Sequence, residues 1–242
     1  MEGKLANLTG HERERYVRAM FTQIAFRYDF MNRLMTVGQD VRWRREVIQR
    51  ASLPPGGFLL DLGAGTGDLS REALRQYPGS RVVAADFTLE MMRVGQAREG
   101  EHNLRNSCFD WSSADALNLP FPNSTFDATV SGFLLRNVSD VRRCFSEQYR
   151  VLKPGGKIVV LDTTPPADIW LAPIIHFYLD NMIPLLGRAL TGQGEAYTYL
   201  PNSTENFLEP ERLAARMQAT GFRNVAFRRL MFGTVAIHWG QK

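Results

Sequence analysis

The chain of 242 residues has only two cysteines, Cys108 and Cys144. These are too few for a disulfide framework or a four-ligand zinc site, so a reducing, cytoplasmic setting is expected and a structural metal is not. Residues 1–16 lack the apolar run that follows the basic start of a signal peptide, being broken up by Glu2, Lys4, Glu12, Arg13, Glu14 and Arg15. The most apolar segment, residues 170–187, holds Pro173, His176, Asp180, Asn181 and Pro184, and such a crowd of polar and helix-breaking residues argues against a bilayer span. It reads as a lid or an interfacial helix pair. Internal repeats and low-complexity tracts are also missing.

With 44% apolar and 22% charged residues, the length suits one globular unit with its own core. The net charge of +4 is unevenly spread: residues 1–50 hold 10 Lys/Arg against 6 Asp/Glu, residues 51–210 hold 13 against 18, and residues 211–242 hold 6 against 1. An acidic middle therefore sits between basic flanks, which suit phosphates, anionic lipid heads or plain solvation.

Pro54-Pro55-Gly56-Gly57 marks the clearest boundary, separating a helical cap and substrate-side segment, 1–53, from a main domain, 54–242, with a lid insertion around 165–207. In the cap, Tyr16, Met20, Ile24 and Tyr28 recur every four residues along one helical face, which suits an extra core helix or a wall of a substrate cavity. Beyond it, apolar runs at 58–62, 81–85, 107–111, 126–131 and 157–161 alternate with helical patterns at 69–76, 90–98 and 141–151, and Lys153-Pro154-Gly155-Gly156 reads as a break. Such alternation predicts a doubly wound, mostly parallel α/β sheet covered on both faces. At the end, a helix over 210–220 stops at Gly221, and runs at 225–230 and 234–239 pair as a hairpin, giving seven strands with an antiparallel C-terminal edge.

The strongest local signal is Asp61-Leu62-Gly63-Ala64-Gly65-Thr66-Gly67-Asp68, a glycine-rich turn between a strand and a helix. A dinucleotide fingerprint needs a third glycine at 68 and a phosphate loop needs a following lysine; here Asp68 would repel phosphate. Asp86 closes the second strand, where a carboxylate takes ribose hydroxyls in doubly wound folds, with a helix cap near Thr88 as the lesser alternative. A nucleoside without phosphates fits both features, and S-adenosylmethionine is the expected cofactor, its amino acid held by Asp61 and by Gly63, Gly65, Thr66 and Gly67. Asp115, with Ala116 beside it, is placed to accept from an adenine amino group or to cap a turn.

In this order the motifs resemble class I S-adenosylmethionine-dependent methyltransferases. Tyr28-Asp29-Phe30-Met31-Asn32-Arg33-Leu34-Met35-Thr36-Val37-Gly38-Gln39-Asp40-Val41-Arg42-Trp43 is similar to the N-terminal signature of the ubiquinone/menaquinone biosynthesis C-methyltransferases. Arg150-Val151-Leu152-Lys153-Pro154-Gly155-Gly156 through Leu161-Asp162-Thr163-Thr164 is similar to their second signature, and Leu135-Arg136-Asn137-Val138 and the ending Gly233-Thr234-Val235-Ala236-Ile237-His238-Trp239-Gly240 also match. The chain departs from the family at Asp40 (usually histidine), Thr36 and Thr164 (serine) and Asp162 (glutamate). The family's cofactor-contacting serine falls on Gly132, with Ser131 one place earlier.

The resemblance implies methylation of a ring carbon on a prenylated quinol, such as demethylmenaquinol or a ubiquinol precursor. Such a step needs an aligned ring, a partner for the hydroxyl proton and a donor for the developing oxyanion. Arg136 and Asn137, after the fourth strand, are assigned to the oxyanion, with Tyr28 orienting the ring and Asp29 fixing Tyr28 or Arg136. His176 and Tyr178 are substrate-side residues of the lid, and His238 is a packing residue. The reading includes contact with a membrane surface where a lipid quinol resides, is compatible with a homodimer or a biosynthetic complex, and excludes nucleic acid, since no Asn-Pro-Pro or Asp-Pro-Pro motif follows the fourth strand. Other aromatic acceptors, or a catalytically silent cofactor-binding partner, are the alternatives.

Overall fold

The computed structural model describes residues 10–99, 109–166, 177–182, 185, 199 and 203–242. Strands β1 (Phe58–Leu62), β2 (Arg81–Asp86), β3 (Phe109–Ser113), β4 (Phe126–Gly132), β5 (Leu152–Thr163), β6 (Arg223–Leu230) and β7 (Val235–Gln241) form one sheet in the order β3-β2-β1-β4-β5-β7-β6. β1 to β5 pair in parallel, whereas β7 runs antiparallel to both β5 and β6, leaving β6 at the edge. Strand order reverses between β1 and β4, the crevice where ligands bind in doubly wound sheets.

Seven helices surround the sheet among the described residues: α1 (Gly10–Ile24), α2 (Tyr28–Met35), α3 (Asp40–Ala51), α4 (Asp68–Gln76), α5 (Leu89–Glu99), α6 (Val141–Val151) and α7 (Pro210–Thr220). Alternation along β1 divides the core. Leu59 packs with Val47 and Ile48 of α3 and Ala73 of α4, while Leu60 and Leu62 pack with Phe145 of α6 and with Leu213 and Met217 of α7. The helices expected over 141–151 and 210–220 have those bounds, because each carries its own stop and start. Asp140 caps α6 by accepting from the Arg143 N–H at 2.9 Å, and α7 starts on Pro210 and ends where Gly221 turns left-handed, φ 114°.

Three local expectations change. The break at Lys153–Gly156 lies inside β5: Leu152 pairs with Phe126 and Lys157 with Ala128 across a shift of register, and Gly155, φ 78°, donates to the Lys242 carbonyl at 3.0 Å. β3 runs on through Ser112 and Ser113, whose pairing with Ala85 and Asp86 overrides their polarity. The four-residue spacing of Tyr16, Met20, Ile24 and Tyr28 does not mark one helix. α1 ends at Ile24, a 3-10 turn covers Ala25–Arg27, and α2 restarts at Tyr28, yet all four side chains still meet in one apolar cluster with Met31 and Tyr199.

α5 is brought against the glycine turn by Gly95. A Cβ there would stand 2.3 Å from the Trp111 ring and 2.7 Å from the Thr66 carbonyl oxygen. Backbone on one side and a ring half-buried on β3 on the other leave little room to yield. Gly95→Ala is expected to cost about 1–3 kcal/mol of stability by overpacking. Urea denaturation measures it, and a loss below about 0.5 kcal/mol would show that the helix simply moves away.

Candidate active site

A cleft opens where β1, β2 and β4 end. Its floor is the glycine turn: Gly63, Gly65 and Gly67 have φ of 68°, 58° and 85°, and a Cβ on Gly63 would stand 2.8 Å from Leu134 Cδ1. Gly63 and Ala64 donate to the Ala85 carbonyl at 2.8 and 3.1 Å, and Gly65 donates to Asp86 Oδ2 at 2.8 Å, so the turn is folded back onto the end of β2. Tyr28, Gly63, Gly65, Gly132 and Phe133 are shared by two compartments. One is charged, with Asp29, Asp61, Asp68, Arg44 and Thr66. The other is mostly apolar, with Phe21, Phe87, Met91 and Leu134 beside Asp86 and Asn137.

Asp61 is fully buried. Its Oδ2 accepts from the Ser70 N–H at 3.0 Å and the Ser70 hydroxyl at 2.6 Å, whereas Oδ1 has no partner in the protein. Burial pushes its pKa up to about 7 against the pull of the Ser70 bonds. An orphaned carboxylate oxygen beside a turn of left-handed glycines is what a ligand's ammonium group would complete, so the residues fit the amino acid end of S-adenosylmethionine. Asp86 accepts one N–H on each oxygen, from Gly65 and from Thr88 at 2.8 Å, and burial raises its pKa as well. It therefore caps the turn near Thr88 and stands at the end of β2, where a ribose would meet it.

The remaining residues are placed as follows. Thr66 donates its hydroxyl to Asp29 at 2.9 Å. Asp115 is exposed and spends one oxygen on the Leu117 N–H at 2.8 Å, and Ala116 is half-buried next to it. Gly132 lines both compartments, while the Ser131 hydroxyl is buried beneath the sheet surface without a partner. Arg136 is buried with its guanidinium over the Phe133 ring, donating to Asp162 Oδ1 and Thr163 Oγ1 at 3.2 Å each. Asn137 lines the apolar compartment, donates to the Phe133 carbonyl at 3.0 Å and accepts from the Tyr199 hydroxyl at 3.1 Å. Burial raises the Tyr28 pKa more than the Arg136 charge lowers it.

Asp29 does not fix Tyr28 or Arg136. It is held by Thr66 and by an ion pair with Arg98 of α5, because adjacent residues on a helix point about 100° apart and Asp29 turns towards the glycine loop. Tyr178 donates to the Met35 carbonyl at 2.9 Å, fastening its segment to α2, and His176 lies outside the described residues. His238 is the packing residue expected: stacked on Phe227, 3.0 Å from the Pro210 carbonyl, with burial pushing its pKa down to about 4.

The departures from the family pattern form contacts of their own. Asp40 is fully buried, pairs with Arg44 and accepts from the Thr36 hydroxyl at 3.1 Å. Arg44 reaches on to Asp68 at 3.1 Å, and Arg71 meets Asp68 at 2.6 Å. Burial raises the Asp68 pKa, but these two cations outweigh it and hold the carboxyl below its usual range. Asp162 accepts from the N–H groups of Leu135 at 2.7 Å and Thr163 at 2.8 Å as well as from Arg136. Sequence reasoning missed Arg44, Arg98, Tyr199 and Phe133. In the structure Phe133 stands out as a bulky residue held at φ 59° where β4 turns into the cleft.

The doubly wound sheet, the phosphate-excluding glycine turn and the acid closing β2 define a class I S-adenosylmethionine-dependent methyltransferase. The chain belongs to the ubiE/COQ5 methyltransferase family, which matches residues 9–242. It is 45% identical over 226 residues to the ubiquinone/menaquinone biosynthesis C-methyltransferase UbiE of Desulfotalea psychrophila, covering 93% of this chain and 90% of that one. It is 41% identical over 223 residues to the demethylmenaquinone methyltransferase of Thermus thermophilus, covering 92% of this chain and 100% of that one. In fold it is similar to the [4+2]-cyclase SpnF, with a TM-score of 0.69 at 18% identity over 93% of this chain and 94% of the other. Among the described residues no helix is long and apolar enough to cross a membrane.

Removing Asp162 would take a carboxylate from a buried guanidinium and an acceptor from three N–H groups, those of Leu135, Arg136 and Thr163. Asp162→Ala is expected to cost about 3–5 kcal/mol, read by urea denaturation, whereas Asp162→Glu, which restores the family's residue, keeps the charge and loses less. Equal losses in the two variants would show that shape rather than charge holds the turn.

Proposed function

We propose that this methyltransferase methylates a ring carbon of a prenylated quinol in quinone biosynthesis, drawing the methyl group from S-adenosylmethionine. The observation that carries it is the pairing, in one cleft, of the unpartnered buried Asp61 oxygen with an aromatic compartment walled by Phe21, Tyr28 and Phe133. The names of the two relatives supply the substrate class.

When bound, S-adenosylmethionine supplies an electrophilic methyl group on a sulfonium. Asp61 holds its ammonium group, the turn from Gly63 to Gly67 lets it approach the backbone, and Asp86 takes the ribose hydroxyls. Asp115 offers its second oxygen to the adenine amino group, with Ala116 beside it and Gly132, rather than Ser131, facing the cofactor. Tyr28 acts on the quinol. Its raised pKa keeps the phenol protonated at neutral pH, so it donates to the quinol oxygen as charge develops there, and the Arg136 cation strengthens that donor. Asn137, fixed by Phe133 and Tyr199, presents its amide to the same compartment. Asp29 sets the height of α2 above the turn through Thr66. Alignment of the ring with the methyl group supplies the larger share, since well-oriented reactions gain about 7–11 kcal/mol. His176 and Tyr178 are assigned to the substrate side, and Tyr178 fastens its segment to α2. The protein works in the cytoplasm against the membrane that holds its lipid substrate, alone, as a homodimer or in a biosynthetic complex.

The deciding experiment is methyl transfer from labelled S-adenosylmethionine to short-chain demethylmenaquinol and to a demethoxy-type benzoquinol, both kept reduced, with the methyl position read by mass spectrometry. Carbon methylation of at least one is expected. Cofactor binding without methylation of either, or methylation of simple phenols alone, would overturn the reading.

Asp61 gives the cofactor site a pH signature. Its carboxyl is raised from the ordinary 3.8 to about 7 in the folded protein, and an ammonium ligand favours the ionised form, so binding expels the proton. Affinity measured by calorimetry is expected to fall as pH drops below 7, approaching about tenfold per pH unit. In Asp61→Asn the profile should be weak and flat over that range; an unchanged profile would remove Asp61 from the site.

A further inference from the structure

We propose that the outer face of α2, together with an arginine groove beside it, docks on an anionic lipid bilayer; this rests on the reading that the substrate is a lipid-borne quinol. Large apolar side chains stand in solvent here: Phe26 is 85% exposed, Phe30 61% and Val37 79%, with Leu34 at 37%. Phe30 and Leu34 stand one turn apart on α2, with Phe26 in the 3-10 turn that leads into it and Val37 in the turn that follows it. The opposite face of the same helix buries Met31 and brings Tyr28 and Asp29 to the cleft. One short helix therefore stands between the active site and an apolar surface. Tyr178 bonds to the end of α2, and its neighbours Phe177 and Met182 are exposed as well.

The charge that a lipid head would meet lies alongside. Two residues after Val37, Gln39 opens a groove lined by Arg42, Arg45, Arg50 and Arg228, with Glu46 as its acidic member. Glu46 is shared between Arg50 at 2.8 Å and Arg228 at 3.2 Å, and the groove remains net positive. Its far wall ends at Leu230, two residues before Phe232, which is also exposed. The basic N-terminal and C-terminal flanks of the sequence thus converge on one place, with apolar side chains on both sides of it. A bilayer offers hydrocarbon under anionic heads and demands no matched shape, which suits a narrow helical stripe with cations beside it. A second copy of the chain fits worse, because a twofold interface would set the arginine groove against itself.

The test is flotation of the full-length protein with vesicles of phosphatidylcholine alone and with about one-third phosphatidylglycerol. Wild type should float with the anionic vesicles and less so in high salt. The double variants Phe30→Glu/Leu34→Glu and Arg42→Glu/Arg45→Glu should each lose at least about tenfold in partitioning, with S-adenosylmethionine affinity unchanged, since none of the four side chains lines the cleft. Wild type that stays with the soluble fraction overturns the proposal, as does undiminished flotation of either variant. So does a dimer seen by light scattering that Phe30→Glu/Leu34→Glu dissociates while vesicles go unbound. Turnover of a short-chain quinol in free solution separates the two claims: flotation without methylation removes the functional reading and leaves the surface standing, and methylation without flotation does the reverse.

Discussion

A carboxylate taken out of water must find its donors inside the protein, and three strands of this sheet place one at their carboxyl ends. Asp61 on β1 is met by the N–H and hydroxyl of Ser70, which fixes the first turn of α4. Asp86 on β2 is met by Gly65 and Thr88, which fixes both the glycine turn and the approach to α5. Asp162 on β5 is met by Leu135 and Arg136, which fixes the 3-10 turn Leu135–Asn137 after β4. Each aspartate ties its own strand to a segment that borders the crevice. The cleft therefore owes its shape to the satisfaction of buried charge as much as to packing of apolar side chains.

The helices ahead of the sheet are attached by the same means. Asp29 joins α2 to Thr66 in the turn and to Arg98 on α5, and Asp40 joins α3 to Arg44, which continues to Asp68 at the start of α4. Buried ion pairs of this kind add little net stability, but losing one partner is costly, so they fix which arrangement forms. They also bear on the charge in the cleft. Asp68 is kept ionised by Arg44 and Arg71, while Asp61 and Asp86 bring two further buried carboxylates to the cleft.

What was legible in the sequence is what local chemistry determines. The glycine turn, Asp86 and the ends of α6 and α7 follow from backbone conformation and capping, which neighbouring residues encode. The alternation of apolar runs and helical patterns was enough for the parallel sheet, because strands buried on both faces have few other forms. Arg44, Arg98 and Tyr199 were not legible, since an arginine or tyrosine looks the same in sequence whether it meets water or a partner 69 or 62 positions away in the chain, the separations at which Arg98 meets Asp29 and Tyr199 meets Asn137. Asp40 misled for a related reason. Read alone it replaces a cation with an anion; in the fold, Thr36 donates to it and Arg44 neutralises it, so two departures from the family pattern are one structural unit. The break between α1 and α2 was hidden because the side chains at the four-residue spacing still meet in one cluster across the turn.

A chain of 18% identity with the same fold is a cyclase, so the sheet sets where a ligand sits and leaves the chemistry to the side chains around it. On the proposed chemistry the decisive balance is at Tyr28. Burial raises its pKa more than the Arg136 charge lowers it, so the phenol keeps its proton and can donate. Asp162 holds the guanidinium 3.2 Å from its own oxygen, which fixes where that charge stands relative to the phenol. The aspartate that closes the turn after β4 also positions the cation beside Tyr28, so on that chemistry a change at position 162 would reach Tyr28 through Arg136 as well as the stability of the fold.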